Sequence, residues 1–593
     1  MSVLAGVIRR DSGVLIPDAV CESLRDNVSR NPSDERIEFR DAGAYFVKVD
    51  VGAYGVRAHR FSPRGSFAML AGEPLLLGQG IDDAPRDVHL QTLHEHFDED
   101  RFDVLRHASG TFCAAYYDPR RNIACLIADR LGLRPLYYAI DHGLIYFASA
   151  MRILEQLAQL PKTMDVVSVV EMTGFGYPFA GGTPYAGVTM LQACERVTVG
   201  AHRIESSRYF AWDSIRPSNL AEPEALQQTF DKFQSAVLRR LRGDRTAASY
   251  LSGGLDSRCV VAALASERVK LHTFNFSLPG TQDQAFGAQF AQRIGAFHHD
   301  VPTGADPDWA GIMRDAIACS ASVLDHPPEH PALVWSGEGG SVGLGHVYIS
   351  PEIVTLMRSG DLRRAVDVFL SQQGKNIQTR ILQPKLARAF RGYLGSRLCS
   401  ELDGIHYPDR LRALFIFLIL NGPRRHLEGH YDAIDVHRIE FQMPFNDADF
   451  LEHVVALDIE PCLYHRFYVK WMSLFDPSVS EVPWQAYPGH VPSPAASGDD
   501  LPDQWVAALP QGQVAQLRAD LLRRAGDMLS DKNFPHLFLR RSYLRLMHSI
   551  WKLDLANYGY ALKTALTYYH YWRMAAGRYE LSESRLPGLR YPE

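Results

Sequence analysis

Over roughly the first 205 residues the apolar positions come in short bursts: "AYFVKVDVGAYGVRAH", "GSFAMLAG", "GTFCAAYYD", "NIACLIAD", "RPLYYAI" and "GLIYFAS". Aromatic and β-branched residues fill them and turn residues separate them, which predicts antiparallel sheets. From about residue 225 the pattern changes. Apolar strands alternate with longer helical periods, as in a parallel α/β sheet. From about 350 to the end the periodicity is mostly helical, broken by "HVPSPAASGDDLP" (His490 to Pro502), whose Pro, Ser and Asp content predicts a mobile loop or lid. The longest uncharged apolar stretch is "ALFIFLIL", Ala413 to Leu420. It falls far short of the ~20 residues that span a bilayer and reads as a buried helix.

Composition narrows the class. At 593 residues the chain is too long for one core. Apolar content of 46% and charged content of 22% are ordinary for a globular protein. The net charge of −6 comes with no basic run able to track a phosphate backbone, so no nucleic-acid partner is expected, and no membrane association either. Eight cysteines stand singly, without metal-binding spacing, and the start "MSVLAGVIRRDSG" shows no export signal. Together they predict a cytoplasmic protein with reduced thiols.

The chemistry concentrates in "AASYLSGGLDSRCVVAAL", Ala247 to Leu264. A short apolar strand runs into Ser252, Gly253, Gly254, Asp256 and Ser257, and a helix follows with Val260, Val261 and Leu264 on one face. Glycine amides at a helix N-terminus favour an oxyanion. The GxxxxGK(S/T) pattern of a Walker loop and the dinucleotide GxGxxG are both absent. Asp256 cannot touch a phosphate directly, because the two anions repel; a Mg²⁺ between them removes the conflict.

This stretch resembles the PP-loop of ATP pyrophosphatase domains. The order "SGGLDS", "HTFNFSLPG", "SGEGG" is similar to the synthetase domain of asparagine synthetases. The resemblance implies that Ser252, Gly253, Gly254 and Ser257 hold the pyrophosphate of ATP and Asp256 the metal. Leu251, Phe276, Ser336 and Gly337 then line the adenine and ribose pocket, and Glu338 lies near a reacting acyl-adenylate. "GEGGSVGLG" departs from the family's GEGSD by placing Ser341 where a second magnesium carboxylate belongs. Asp325 and Glu329 are the nearby acids in sequence. "QMPFNDADF" matches the family's "VPFLD" at Pro444, Phe445 and Asp447. In "LYHRFYVKWM" the family's catalytic lysine falls on Arg466, or on Lys470 one turn later. No counterpart is found for the stretch that grips aspartate, which puts aspartate in doubt as substrate.

The N-terminal half, from "GTFCAAYYD" through "GLIYFASAMRIL", resembles class II glutamine amidotransferases. Such enzymes need cysteine at position 2 as nucleophile. Here Ser2 stands there, and "AGEPLL" (Ala71, Gly72, Glu73) replaces the family's "NGEIYN", so Ala71 takes the place of an oxyanion-hole asparagine. Loss of one such donor costs about 10²–10³ in rate. Arg60 remains from the substrate-binding set.

The resemblance implies an N-terminal αββα sandwich of the N-terminal-nucleophile type over 1–205, amidotransferase-like and degenerate. A doubly wound parallel-sheet ATP pyrophosphatase domain follows over 206–500, with a helical extension over 501–593. The expected activity is an ATP- and Mg²⁺-dependent ligase that adenylates a small-molecule or peptide carboxylate. An amine or ammonia then displaces AMP, without the chain's own glutaminase. β-Lactam synthetases and lasso-peptide cyclases resemble it in having lost the cysteine. Glutamine-hydrolysing asparagine synthesis through Ser2, and a non-catalytic nucleotide-binding scaffold, are the rivals; a homodimer is compatible with each.

Overall fold

The computed structural model describes residues 2–581 except 12, 79, 83, 201–202, 302–308, 324–325, 496–500 and 503–510. Two six-stranded antiparallel sheets face each other in the N-terminal half. Ser2–Arg9 runs inside the first, paired with Ala44–Asp50 on one side and Leu144–Ala148 on the other. Phe112–Asp118 and Ile123–Ala128 lie at the centre of the second. Alternation sorts the side chains. Leu4 and Ile8 join Phe46, Phe67, Met69 and Phe147 between the sheets, while Val3, Ala5 and Val7 belong to the outer core. The helices Asp18–Asn27 and Arg86–Asp98 cover that outer core with Val20, Leu24, Leu90, Leu93 and Phe97. The layers are helix, sheet, sheet, helix.

A five-stranded, wholly parallel sheet follows, in the order Phe297–Asp300, Lys270–Asn275, Thr246–Tyr250, Leu333–Trp335, Glu440–Gln442. From the central strand the chain builds outward on one side and then returns to build on the other. The strand order therefore reverses between Thr246–Tyr250 and Leu333–Trp335. Their carboxyl ends flank a topological switch point, where open α/β sheets bind ligands. The expected buried helix is there too, as Arg410–Asp432, with Ala413 through Ile419 buried. Among the described residues no helix is long and apolar enough to cross a membrane.

The C-terminal helices Gln511–Ser530, Arg541–Lys552 and Gly559–Met574 were expected to extend the synthetase part. They share a separate core with Val166–Phe175 of the first half and with Ile381 to Phe390. Met164 pairs with Tyr579 in a two-stranded parallel ribbon. Buried charge also joins the halves. Arg134 grips both oxygens of Glu440 at 2.9 and 2.8 Å and donates to the Ser2 carbonyl at 2.8 Å.

Candidate functional site

The Thr246–Tyr250 strand ends at Leu251, and the helix Leu255–Ser266 starts after Gly254. Between them the loop folds on itself. The Ser257 hydroxyl accepts from the Ser252 amide at 3.1 Å, and Ser252 Oγ accepts from the Gly254 amide at 3.2 Å. The Gly253 amide donates to Asp283 Oδ1 at 2.9 Å, from the first turn of the neighbouring helix Gln282–Ile294. The expected amide cradle is thus occupied by the loop's own hydroxyls and by Asp283. Within the loop 252–257, Ser252 is the exposed residue.

The second loop, 336–341, presses against the first. A Cβ on Gly337 would lie 2.3 Å from the Ser257 nitrogen, and one on Gly340 2.5 Å from Asp256 Cγ. Glycine there is required by close approach. Asp256 is held from three directions: Oδ2 accepts from the Ser341 amide (2.8 Å) and hydroxyl (2.7 Å), and Oδ1 from Tyr468 Oη (2.8 Å). Burial outweighs these bonds and pushes its pKa up to about 6. Ser341, standing where the family has aspartate, is a donor to Asp256 and not a second acid.

A cavity of about 320 Å³ opens over both loops. Asp256, Asp283 and Ser341 line its floor, and His465, Trp484, Tyr487 and His490 its roof. The 484–491 segment is tied down by the Gln485 amide, which donates to the Gly253 carbonyl at 3.2 Å. The loop at 490–502 was expected as a lid. Its described parts close over the same region, with Val491 donating to Tyr464 and the Pro502 carbonyl accepting from Gln282; 496–500 lie outside the described residues. Tyr464 and His465 both adopt left-handed backbone, φ 60° and 61°, which carries His465 into the cavity; such strain in non-glycine residues collects at ligand sites. Burial, then His490, lowers the His465 pKa to about 3, so the ring is neutral.

Two carboxylates on one cavity floor repel an incoming phosphate unless a cation sits between. Mg²⁺ is commonly held by one or two carboxylates plus substrate phosphates. Asp256 and Asp283 fit that donor set, although no cluster of three or more His, Cys, Asp or Glu among the described residues could hold a metal without a ligand's help.

Glu338 projects from the second loop and pairs with the exposed His426 of the Arg410–Asp432 helix, 3.2 Å from Nδ1. The carboxylate raises the His426 pKa above its ordinary value, first through the hydrogen bond and then through its charge. The Ser336 hydroxyl accepts from the Glu338 amide at 3.1 Å, and the Ser336 amide donates to the Gln442 carbonyl at 2.9 Å. Leu251 is buried, and its carbonyl accepts from Asn275 at 2.9 Å. Phe276 lies edge-on to Tyr250 at the same sheet end.

Arg466 and Lys470 do not reach the cavity. Arg466 donates to the Leu463 carbonyl and pairs with Glu460; Lys470 pairs with Glu222 at 2.6 Å. The reason is helical phase. Tyr468 faces Asp256, and positions two residues to either side sit about 200° round the helix. Glu329 is also elsewhere, accepting from the Arg245 amide at the far end of the central strand, and Asp325 lies outside the described residues. Sequence reasoning missed Asp283, His426, His465 and Tyr468. For Tyr468 the signal was present: Phe467, Tyr468, Trp471 and Met472 form the buried face of that short helix.

In the N-terminal half Ser2 is 2% exposed and its hydroxyl lies 3.4 Å from Asp50 Oδ2. Asp50 is held by the buried Lys48 ammonium at 3.0 Å. Ala71 is fully buried in Phe67–Gly72. Gly72 takes φ +87° with its carbonyl accepting from Arg86 at 2.6 Å, and the buried Glu73 is ion-paired with Arg242. Arg60 is spent on the carbonyls of His59 and Asp87.

The glutamine amidotransferase domain family matches residues 90–210 and the asparagine synthase family residues 228–327. The first match starts after Ser2 and Ala71; the second ends before Ser336. Among curated proteins the chain is similar to glutamine-hydrolyzing asparagine synthetase 3 of Bacillus subtilis (strain 168), 26% identical over 29% of this chain and 29% of that one. It is also similar to asparagine synthetase B of Escherichia coli (strain K12), 26% identical over 34% of each. Glutamine-hydrolyzing asparagine synthetase 2 of Oryza sativa subsp. japonica is 29% identical over 62% of this chain and 52% of that one. The matches thus span about a third to a half of the length of these relatives. Among solved structures, the allosteric regulatory enzyme of purine biosynthesis aligns at 11% identity over 51% of this chain and 76% of that one, with a TM-score of 0.22, too low to bear on the fold.

Proposed function

We propose that the chain, which is similar to asparagine synthetases through both matched domain families, is an ATP-dependent carbon–nitrogen ligase working in the cytoplasm. A carboxylate oxygen attacks the α-phosphorus of ATP, the bond to the β-phosphate breaks, and pyrophosphate leaves. An amine or ammonia then attacks the acyl carbon, the bond to AMP breaks, and an amide forms.

The observation that carries this reading is Asp256, fixed by Tyr468 and Ser341 at the switch point with its carboxylate in the cavity. Asp256, with Asp283, would hold Mg²⁺, which when bound screens the phosphate charge. Ser252 is the exposed hydroxyl for the pyrophosphate, with Gly254 and Ser257 shaping the loop around it. Leu251, Phe276, Ser336 and Gly337 are the proposed adenosine surface. Glu338 takes the proton released by the attacking amine. His426, whose pKa Glu338 raises, would take the part first expected of Arg466 or Lys470.

The sealed surroundings of Ser2 and Ala71 support a ligase supplied with free ammonia or a separate amine, while the names of the relatives favour glutamine. Supplying ATP, candidate carboxylates and either ammonium or glutamine separates the two. The proposal expects AMP and pyrophosphate with ammonium or an amine, and no glutamate from glutamine. Glutamate release lost in Ser2→Ala establishes the glutamine-hydrolysing reading instead. A cyclase that uses an amine of its own substrate has the same products, with no added nitrogen donor.

A further inference from the structure

Arg130 follows the strand Ile123–Ala128 and is 2% exposed, yet its guanidinium is only partly engaged. Nη2 pairs with Glu452, and Cζ lies 4.1 Å from the centre of the Phe210 ring. Nη1 has no hydrogen-bond partner among the described residues and, unlike Nε, is not sealed from solvent. The residue lines an interdomain cleft of about 610 Å³, within the range of ligand pockets. The cleft shares no lining residue with the cavity over the glycine loop.

Two more guanidiniums line the same cleft from other segments. Arg106, exposed near the end of the 3₁₀ turn Phe102–His107, spends only Nε, on the Tyr209 carbonyl at 2.8 Å. Arg216, exposed on the connection between the halves, has no partner among the described residues. Most other polar groups there are committed. Lys232 donates to both oxygens of Asp449 at 2.9 and 3.0 Å, and Arg239 stands 3.8 Å from the same carboxylate. The His453 ring lies 3.0 Å from the Thr229 hydroxyl, and the Ser214 hydroxyl donates to the Ala211 carbonyl at 2.6 Å. His107 completes the polar rim. Four cations therefore line the cleft with two acids, and both acids are already paired. The excess positive charge calls for a dianion.

We propose that this interdomain cleft binds a small molecule through a phosphoryl dianion, held by Arg106, Arg130 Nη1 and Arg216. A phosphoryl group carries a charge of about −1.5 to −2 near neutral pH and three strong acceptor oxygens. Guanidiniums on three separate segments suit those oxygens, whereas a lone carboxylate is satisfied by one fork. Arg130 already covers the Phe210 ring, so that face offers no stacking platform for a nucleotide base. A ligand here would touch both halves of the chain and their connection. The inference does not depend on the ligase reading.

The test uses the full-length protein at constant ionic strength, with glycerol 3-phosphate and inorganic phosphate as probes and glycerol and succinate as controls. Thermal melting and titration calorimetry read binding. At least one phosphoryl probe is expected to raise Tm by about 1–2 °C at ~10 mM, and the controls to leave it unchanged. Tighter binding of the ester identifies a phosphorylated metabolite as the source, and tighter binding of inorganic phosphate the free ion. Arg106→Ala and Arg216→Ala remove exposed side chains, so the free variants should melt within about 1 °C of wild type. Each should weaken phosphoryl binding at least tenfold. Absence of binding by both probes, succinate binding as tightly as they do, or undiminished binding in either variant overturns the proposal. The last result is also the one expected if the probes sit on the glycine loop instead.

Discussion

The glycine loop of the parallel sheet and the start of the first antiparallel sheet both depart from the pattern of the enzymes they resemble, with opposite consequences. At the loop, Ser341 replaces an acid, yet its amide and hydroxyl both hold Asp256 in the cavity. The carboxylate stays in the cavity, anchored by Ser341. At the chain start, Ser2 and Ala71 are buried. Around them Lys48–Asp50, Glu73–Arg242 and Arg134–Glu440 turn the region into buried ion pairs and domain-joining structure. A motif that loses a residue can keep its chemistry when the replacement bonds to what remains. It becomes architecture when the neighbours pair with each other.

The largest effect that would break this comparison lies at Asp256. Asp256→Asn should lower ligase activity by about 10²–10³ while Tm holds or rises, since the buried charge resists ionisation. Full activity in that variant would remove the contrast between the two regions. Next comes Glu338→Gln, expected to cost about 10²-fold in amide formation as a lost general base. It should also change the pH profile. His426 is protonated below its pKa and Glu338 raises that pKa, so the alkaline limb lies at higher pH with the carboxylate than without it. Removing the carboxylate moves that limb to lower pH. A limb that does not move excludes His426 as the protonated group.

At the other region the expected effects are small. Ser2→Ala should leave amine-dependent activity within about twofold of wild type, and a larger loss would return the chain start to the reaction. Smallest of all are Arg466→Ala and Lys470→Ala, each expected within about twofold, as for exposed ion pairs. A hundredfold loss in either would show that the helix turns in the working state.

How far the sequence reached follows from what each signal encodes. Period-two bursts and the strand–loop–helix around Ser252 are local patterns, and the sheets and the glycine loop appear where those patterns lie. Asp256 was legible because it sits in one contiguous strand–loop–helix motif with Ser252, Gly253, Gly254 and Ser257, although its hydrogen-bond partners come from far along the chain. Asp283, Tyr468 and His426 reach the loops across 30 to 212 residues of chain, and no local pattern reports such pairing. Arg466 and Lys470 were misplaced because they were chosen by charge at the right distance along the chain. The apolar phase of "RFYVKWM" puts Phe467, Tyr468 and Trp471 inward and so the two cations outward. That the C-terminal helices pack on Val166–Phe175 as well as on Ile381 to Phe390 was not legible for a similar reason: their apolar stripes do not specify a partner.

The central claim is that an acid at the switch point serves adenylation of a carboxylate. Carboxylate-stimulated exchange of labelled pyrophosphate into ATP tests it most directly, since it requires neither the amine nor the N-terminal half. The account predicts exchange with at least one carboxylate, lost in Asp256→Asn and retained in Ser2→Ala. Exchange that persists in Asp256→Asn, or ATP cleaved only to ADP and phosphate, would contradict it.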